Sequence, residues 1–239
     1  MNVVVYTALF GDIDPLWSAT PGKSRYPHIA FTERRRQEVG VWHGNPPVLS
    51  NPTAKAAARW EQRLVDANGD ARVSARHYKL LPHRYLPDAD VWVWIDANVR
   101  MRVLPENVVL EWLGDADFAT LKHPVRDCAY HEARECERLG KARPEVLAVQ
   151  VGAYRAAGLP EHWGLAETRI VIRRNTPEIV ALNEAWWDEL RRHSARDQIA
   201  LPFVCWRAGL RWRVIPGHVI GERHPQVWHT GHAKGVSRG

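Results

Sequence analysis

The octet Val91-Trp92-Val93-Trp94-Ile95-Asp96-Ala97-Asn98 sets an acid and an amide directly after a β-branched and aromatic run. Such a run reads as a buried strand, and in extended chain Asp96 and Asn98, two residues apart, project to the same side. Together they could hold Mn²⁺ or Mg²⁺, hard cations that take oxygen ligands and carry a substrate's phosphates. The plainer reading is a strand-to-turn junction, where Asp and Asn satisfy local backbone groups. An amide in place of a second carboxylate supplies less negative charge, so a bound diphosphate would have to complete the metal shell.

Four further clusters bear chemistry. In Trp228-His229-Thr230-Gly231-His232-Ala233-Lys234-Gly235, His229 or His232 could complete a metal shell, and Lys234 could neutralise phosphates. A mobile basic terminus is the competing reading. In Ser194-Ala195-Arg196-Asp197-Gln198, Ser194 caps a helix, or Asp197 serves the acceptor as general base or hydroxyl partner while Gln198 binds the donor sugar. Arg76 and Lys79, in Arg76-His77-Tyr78-Lys79, share a helix face and suit a diphosphate clamp or a solvated basic face. Finally, Lys122-His123-Pro124-Val125-Arg126-Asp127-Cys128 follows a predicted strand, so His123 and Arg126 could line a sugar pocket. A serine-hydrolase elbow, a P-loop and a GxGxxG fingerprint are absent.

These residues need elements to position them. Strands are predicted at residues 2–8, His28–Thr32, 91–98, Asp117–Leu121, Thr168–Arg173 and Arg211–Ile215. Helices are predicted at Thr53–Asn68, Ser74–Leu81, 144–157 (ending before Gly158), from Thr176-Pro177-Glu178 with Ile179, Leu182, Trp186 and Leu190 inward, and from near Asp197. Strands alternating with helices argue for an α/β fold with a mainly parallel central sheet. Ligands in such sheets bind at the carboxyl ends of strands. Tyr6-Thr7, Phe31-Thr32 and Asp96-Asn98 are therefore expected to converge on one crevice. The division expected is a domain over 1–217 and a His/Gly/Lys tail over 218–239 that folds across the site.

The 239 residues suffice for one large core, with 45% hydrophobic and 25% charged residues, as is ordinary for globular chains. No run approaches the about 18 apolar residues of a membrane helix, and no leader is evident, so a cytoplasmic protein without a membrane partner is expected. Three cysteines and no CxxC argue against a disulfide scaffold or a zinc knuckle. The excess of 33 basic over 27 acidic residues, net +6, fits an anionic ligand: a nucleoside diphosphate or a nucleic acid. Twelve tryptophans are mostly core, with any exposed ones suited to stacking on sugars or bases.

Taken in order, Tyr6-Thr7-Ala8-Leu9-Phe10-Gly11, Arg76-His77-Tyr78-Lys79, Trp94-Ile95-Asp96-Ala97-Asn98, His123-Pro124-Val125-Arg126, Gly164-Leu165-Ala166-Glu167 and Arg196-Asp197-Gln198 resemble one family over roughly residues 3–206. It comprises glycosyltransferase-like proteins first catalogued as a domain of unknown function and known from plant cell-wall and mucilage proteins. The resemblance implies a GT-A-like nucleotide-sugar-binding sandwich with a divalent cation at an acid-x-acid motif. Asp96 matches the first acid and Asn98 departs from the second. The tail is similar to the His…Gly-x-x-Lys element of glycogenin-like retaining transferases, on which His229 or His232 would bind metal and Lys234 diphosphate.

The function so implied is a hexosyl- or pentosyltransferase that moves a sugar from a nucleoside diphosphate to a hydroxyl of a glycan or small molecule. Tyr6 and Thr7 would contact the nucleoside, with Arg76, Lys79 and Lys234 on the phosphates. Charge and compactness also suit a transferase acting on a hydroxymethylated pyrimidine in DNA. A third reading is a non-catalytic nucleic-acid or glycan-binding module on a transferase fold.

Overall fold

The structure, a computed structural model, describes residues 1–11, 16–17, 23–39, 60–67, 69–217 and 226–229. From the N-terminus, β1 (Val3–Leu9), β2 (Leu16–Trp17), β3 (His28–Thr32), β4 (Glu38–Val39) and β5 (Glu61–Leu64) precede α1 (Ala71–Leu80) and α2 (Pro82–Tyr85). Next come β6 (Val91–Ile95), β7 (Val99–Met101), a 3₁₀ turn at Pro105–Asn107, α3 (Val109–Leu113) and β8 (Phe118–Lys122). Then α4 (Ala129–Arg138), α5 (Pro144–Ala157), β9 (Ala166–Arg174), α6 (Pro177–Arg192), α7 (Asp197–Arg207), β10 (Arg213–Ile215) and β11 (Val227–His229) follow.

Seven strands form one sheet in the order β10-β8-β9-β6-β1-β3-β5. Strand β9 runs antiparallel to β6 and β8, and every other pair in that sheet is parallel. This is the α/β fold with a mainly parallel central sheet that the alternation of strands and helices implied. Strands β1 and β6 are buried throughout because both faces of the sheet are covered. Their alternate residues feed separate cores. Val4, Tyr6, Ala8, Trp92 and Trp94 pack against α1, α6 and α7, while Val3, Val5, Val91, Val93 and Ile95 face α3 and Val227.

Punctuation residues fix the helix ends. Thr176 accepts a hydrogen bond from the Ile179 amide and Pro177 opens α6, as read from the sequence. Gly158, at φ +91°, closes α5 in a left-handed conformation that side chains rarely adopt. Ser194 caps nothing: its hydroxyl donates to Gln150 Oε1 at 2.6 Å, and α7 begins after Arg196 without a side-chain cap.

Three expectations are corrected. Within the helix expected over 53–68, Glu61–Leu64 is instead the half-exposed edge strand β5 beside β3; residues 53–59 and 68 lie outside the described residues. The strand expected over 91–98 stops at Ile95, and Asp96–Val99 is a turn closed by the Val99 amide on Asp96 O at 2.8 Å. Within the tail read as loop, Val227–His229 forms β11, antiparallel to β7.

Trp186 is fully buried on α6, and its indole N–H donates to Asp197 O at 3.0 Å. Trp186→Ala is expected to cost about 3–5 kcal/mol by denaturant unfolding, the range for emptying a large aromatic site. A change within 0.5 kcal/mol would mean that this core does not support α7.

Candidate active site

A cavity of about 420 Å³ opens at the carboxyl ends of β1 and β6, bounded by α1, the β8–α4 segment, the start of β9 and the start of α7. Six cationic side chains (Arg72, Arg76, Arg126, Lys141, Arg169 and Arg196) line it, against four acids, Asp96, Glu132, Glu167 and Asp197. A concave site with a surplus of positive charge concentrates anions. The first turn of α1, with Ala71 and Arg72 at the wall, adds the positive end of its dipole.

Asp197 is the most constrained acid. Its carboxylate is 1% exposed, with Lys79 Nζ at 2.6 Å, the Thr168 hydroxyl at 2.8 Å and Arg76 Nε at 2.9 Å. Burial opposes ionisation, but Arg76, Lys79 and Arg196 outweigh it and hold the carboxyl well below the usual carboxylate range. With its oxygens held by Lys79, Thr168 and Arg76, the carboxylate stands as an ion-pair partner and not as the general base read from the sequence. Lys79 is itself fully buried, donates also to Thr168 Oγ1 at 3.0 Å, and sits beneath the cavity. It therefore organises Asp197 instead of clamping phosphate. Arg76 lies partly open at the cavity wall.

Asp96 and Asn98 both line the cavity, brought together by the turn and not by extended chain. Asp96 Oδ1 accepts from the Trp94 indole at 2.6 Å and lies 3.7 Å from Lys79 Nζ. A carboxylate has lone pairs beyond these, so Asp96 with the Asn98 carbonyl fits part of a hard-cation shell, the rest needing oxygens from a ligand. Among the described residues, no group of three His, Cys, Asp or Glu could hold a metal. In β11, His229 pairs with Val99, which brings the tail's backbone beside this turn. His232 and Lys234 lie outside the described residues.

Other expected residues divide in the same way. Tyr6 and Thr7 are completely buried, and the Tyr6 hydroxyl donates to Lys79 O at 2.8 Å and accepts from Arg173, so neither meets a nucleoside. Strand β1 runs on to Leu9, and Ala8, Leu9 and Phe10 reach the cavity instead. His123 lines the cavity, but its Nδ1 accepts from the Val125 and Arg126 amides at 3.3 and 3.0 Å. The ring proton is thereby placed on Nε2, 3.6 Å from Glu132 Oε2, and His123 fixes the loop instead of binding donor through a lone pair. Arg126 Nε donates to Glu132 Oε2 at 2.7 Å, and Arg126 remains at the wall. Gln198 donates to Ala166 O and accepts from Arg196, both at 3.3 Å, at the cavity edge.

Glu132, Glu167 and Arg196 stand in motifs the sequence singled out but were given no role of their own, while Arg72, Lys141, Thr168 and Arg169 were missed. Arg72 was within reach, since Arg72, Arg76 and Lys79 form one helical stripe at i, i+4, i+7. Glu167 and Arg169, alternate residues on β9 joined at 2.9 Å, share a strand face, the period-2 signal. Lys141 carried no such signal, because only the turn after α4 brings it to the mouth.

The fold and this cavity define an α/β domain with a cationic cleft at the carboxyl ends of its strands. A family model described as "TOD1/MUCI70, glycosyltransferase-like domain" matches residues 52–215, and the chain belongs to that family. It is 28% identical over 145 residues to Probable hexosyltransferase MUCI70 of Arabidopsis thaliana, covering 56% of this chain and 25% of that protein. It is 22% identical over 179 residues to Alkaline ceramidase TOD1 of the same plant, covering 69% of this chain and 39% of that protein. The chain thus spans less than half the length of either relative. Among solved structures, the apo WbbM bifunctional glycosyltransferase superposes with a TM-score of 0.47 at 12% identity, over 85% of this chain and 37% of that one.

Asp197→Asn is expected to cost about 3–5 kcal/mol near neutral pH, because it leaves the charge of Lys79 buried without its counterion. The depressed carboxyl stabilises the fold fully above the unfolded-state pKa of about 4, and that contribution fades as pH falls toward the folded value. Urea midpoints measured from pH 6 to pH 2 should therefore fall more steeply for wild type than for Asp197→Asn. Parallel curves would contradict the ion pair.

Proposed function

We propose that the protein transfers a sugar from a nucleoside diphosphate donor to a hydroxyl of a glycan or small molecule, in the cavity at the ends of β1 and β6. The observation that carries this reading is the Asp96–Asn98 turn facing a cationic wall, within a member of a glycosyltransferase-like family. In the reaction, the bond from the anomeric carbon to the diphosphate oxygen breaks, the acceptor oxygen bonds to that carbon, and the hydroxyl proton passes to the departing diphosphate. Negative charge builds on the departing diphosphate. Arg76, oriented by Asp197 and itself mostly buried, faces that charge, and its partial burial strengthens the interaction.

Asp96 and Asn98 would hold Mn²⁺ or Mg²⁺ in this proposal, with His229 or His232 the further ligand expected from the sequence. When bound, the cation neutralises phosphate oxygens. Of the tail expected to fold across the site, only 226–229 lie within the described residues.

Nucleoside diphosphate released from a panel of nucleotide sugars, with and without Mn²⁺, tests this function. Release is expected with wild type and should fall by roughly 10²–10³-fold in Asp96→Ala, the scale for removing one preorganised electrostatic partner. Should no donor be bound or cleaved under any metal condition, the chain is a non-catalytic module. Full metal-dependent activity in Asp96→Ala would remove the site assignment.

A further inference from the structure

We propose that Arg72, Arg76, Arg196 and Lys141 form an anion site that holds a donor phosphate without help from a metal. The inference rests on the donor reading above and adds a second anchor on the wall formed by α1 and the α7 start.

The charge on that wall is not balanced from within. Arg76 is paired with Asp197, Arg126 with Glu132 and Arg169 with Glu167. Arg196 comes only within 4.0 Å of Glu132, which Arg126 already occupies. Among the described residues, Arg72 and Lys141 have no carboxylate within ion-pair distance. They are tied to each other through a bond from Arg72 Nη1 to Lys141 O at 3.3 Å. That bond draws the turn after α4 onto the first turn of α1, so two chain segments 69 residues apart present cations at one mouth.

The three guanidinium groups also repel one another. Partial desolvation of its guanidinium, together with the nearby charges of Arg196 and Arg76, pulls the Arg72 pKa below its ordinary value. Two guanidinium nitrogens at the cavity, Arg196 Nε and Arg169 Nη1, are shielded from solvent and have no hydrogen-bond partner among the described residues. Buried donors left this way are costly, and a small rotation toward an anion would satisfy them. Like charges held together with donors unspent are relieved by a multiply charged oxyanion. Planar guanidinium forks with a flexible ammonium suit a phosphate. A single carboxylate would leave most of these donors unmet.

The test is titration calorimetry of the full chain with inorganic pyrophosphate in EDTA, repeated with Mn²⁺. Pyrophosphate is expected to bind in EDTA. Arg72→Gln and Lys141→Gln, both at exposed positions where folding should survive, are each expected to weaken it by about tenfold, the size of one charge-assisted hydrogen bond. Arg138→Gln, on the exposed side of α4 and paired with Glu135, should leave it unchanged. Binding only with Mn²⁺, or binding that both cavity variants leave intact, would overturn the proposal. Sugar transfer persisting beside such a result would keep the donor reading and remove this site alone. Pyrophosphate bound as expected, with no donor cleaved, would keep the anion site and remove the donor reading.

Discussion

The arrangement depends on one buried ion pair, Lys79 with Asp197, whose partners lie 118 residues apart and 2.6 Å from each other. It joins α1 to α7, and Thr168, bonded to both, adds β9. The main chain on either side is pinned as well. Lys79 O accepts from Tyr6 and Arg173, and Asp197 O accepts from Trp186. A buried pair of this kind adds little net stability over a well-packed apolar alternative, yet breaking it is costly. Its value lies in position: α1 and α7, the elements that carry the cationic wall, are held in one register.

This pair also separates two roles that look alike in the sequence. The buried charge of Lys79 is met by Asp197 at the cavity wall, whereas Arg72, Lys141 and Arg196 carry charges left over at its mouth. A site organised in this way has its dipoles fixed before a ligand arrives, so little reorganisation is needed as charge develops. Opposite the wall, the Asp96–Asn98 turn is oriented by the Trp94 indole and approached by β11. The long apolar run before Asp96 thus both anchors the sheet and aims the carboxylate.

Much of the fold was legible. His28–Thr32 and the helix over 144–157 match their predicted bounds, because a β-branched and aromatic run marks one, and Pro144 and Gly158 mark the other. The first helix past the N-terminal strands was misread. Ala57, Trp60, Leu64 and Val65 mimic helical spacing, while β5 is an edge strand with polar faces that no alternation reveals. The site was legible as a set of motifs but not as roles. Tyr6 lies in mid-strand since β1 extends three residues beyond it, and Lys79 and Asp197 face inward to each other. Neither burial nor pairing over 118 residues can be read from local spacing, so a phosphate clamp and a general base were expected where a structural ion pair stands.

The central claim is that one cavity binds the diphosphate between the Asp96–Asn98 turn and the arginine wall of α1 and α7. The most direct measurement is a crystal structure of the chain soaked with a nucleoside diphosphate and Mn²⁺. The account predicts phosphate oxygens within hydrogen-bond distance of Arg72, Arg76 or Arg196, with the nucleotide at the ends of β1 and β6. Density for the nucleotide outside this cavity, with the arginine wall left to solvent, would contradict it.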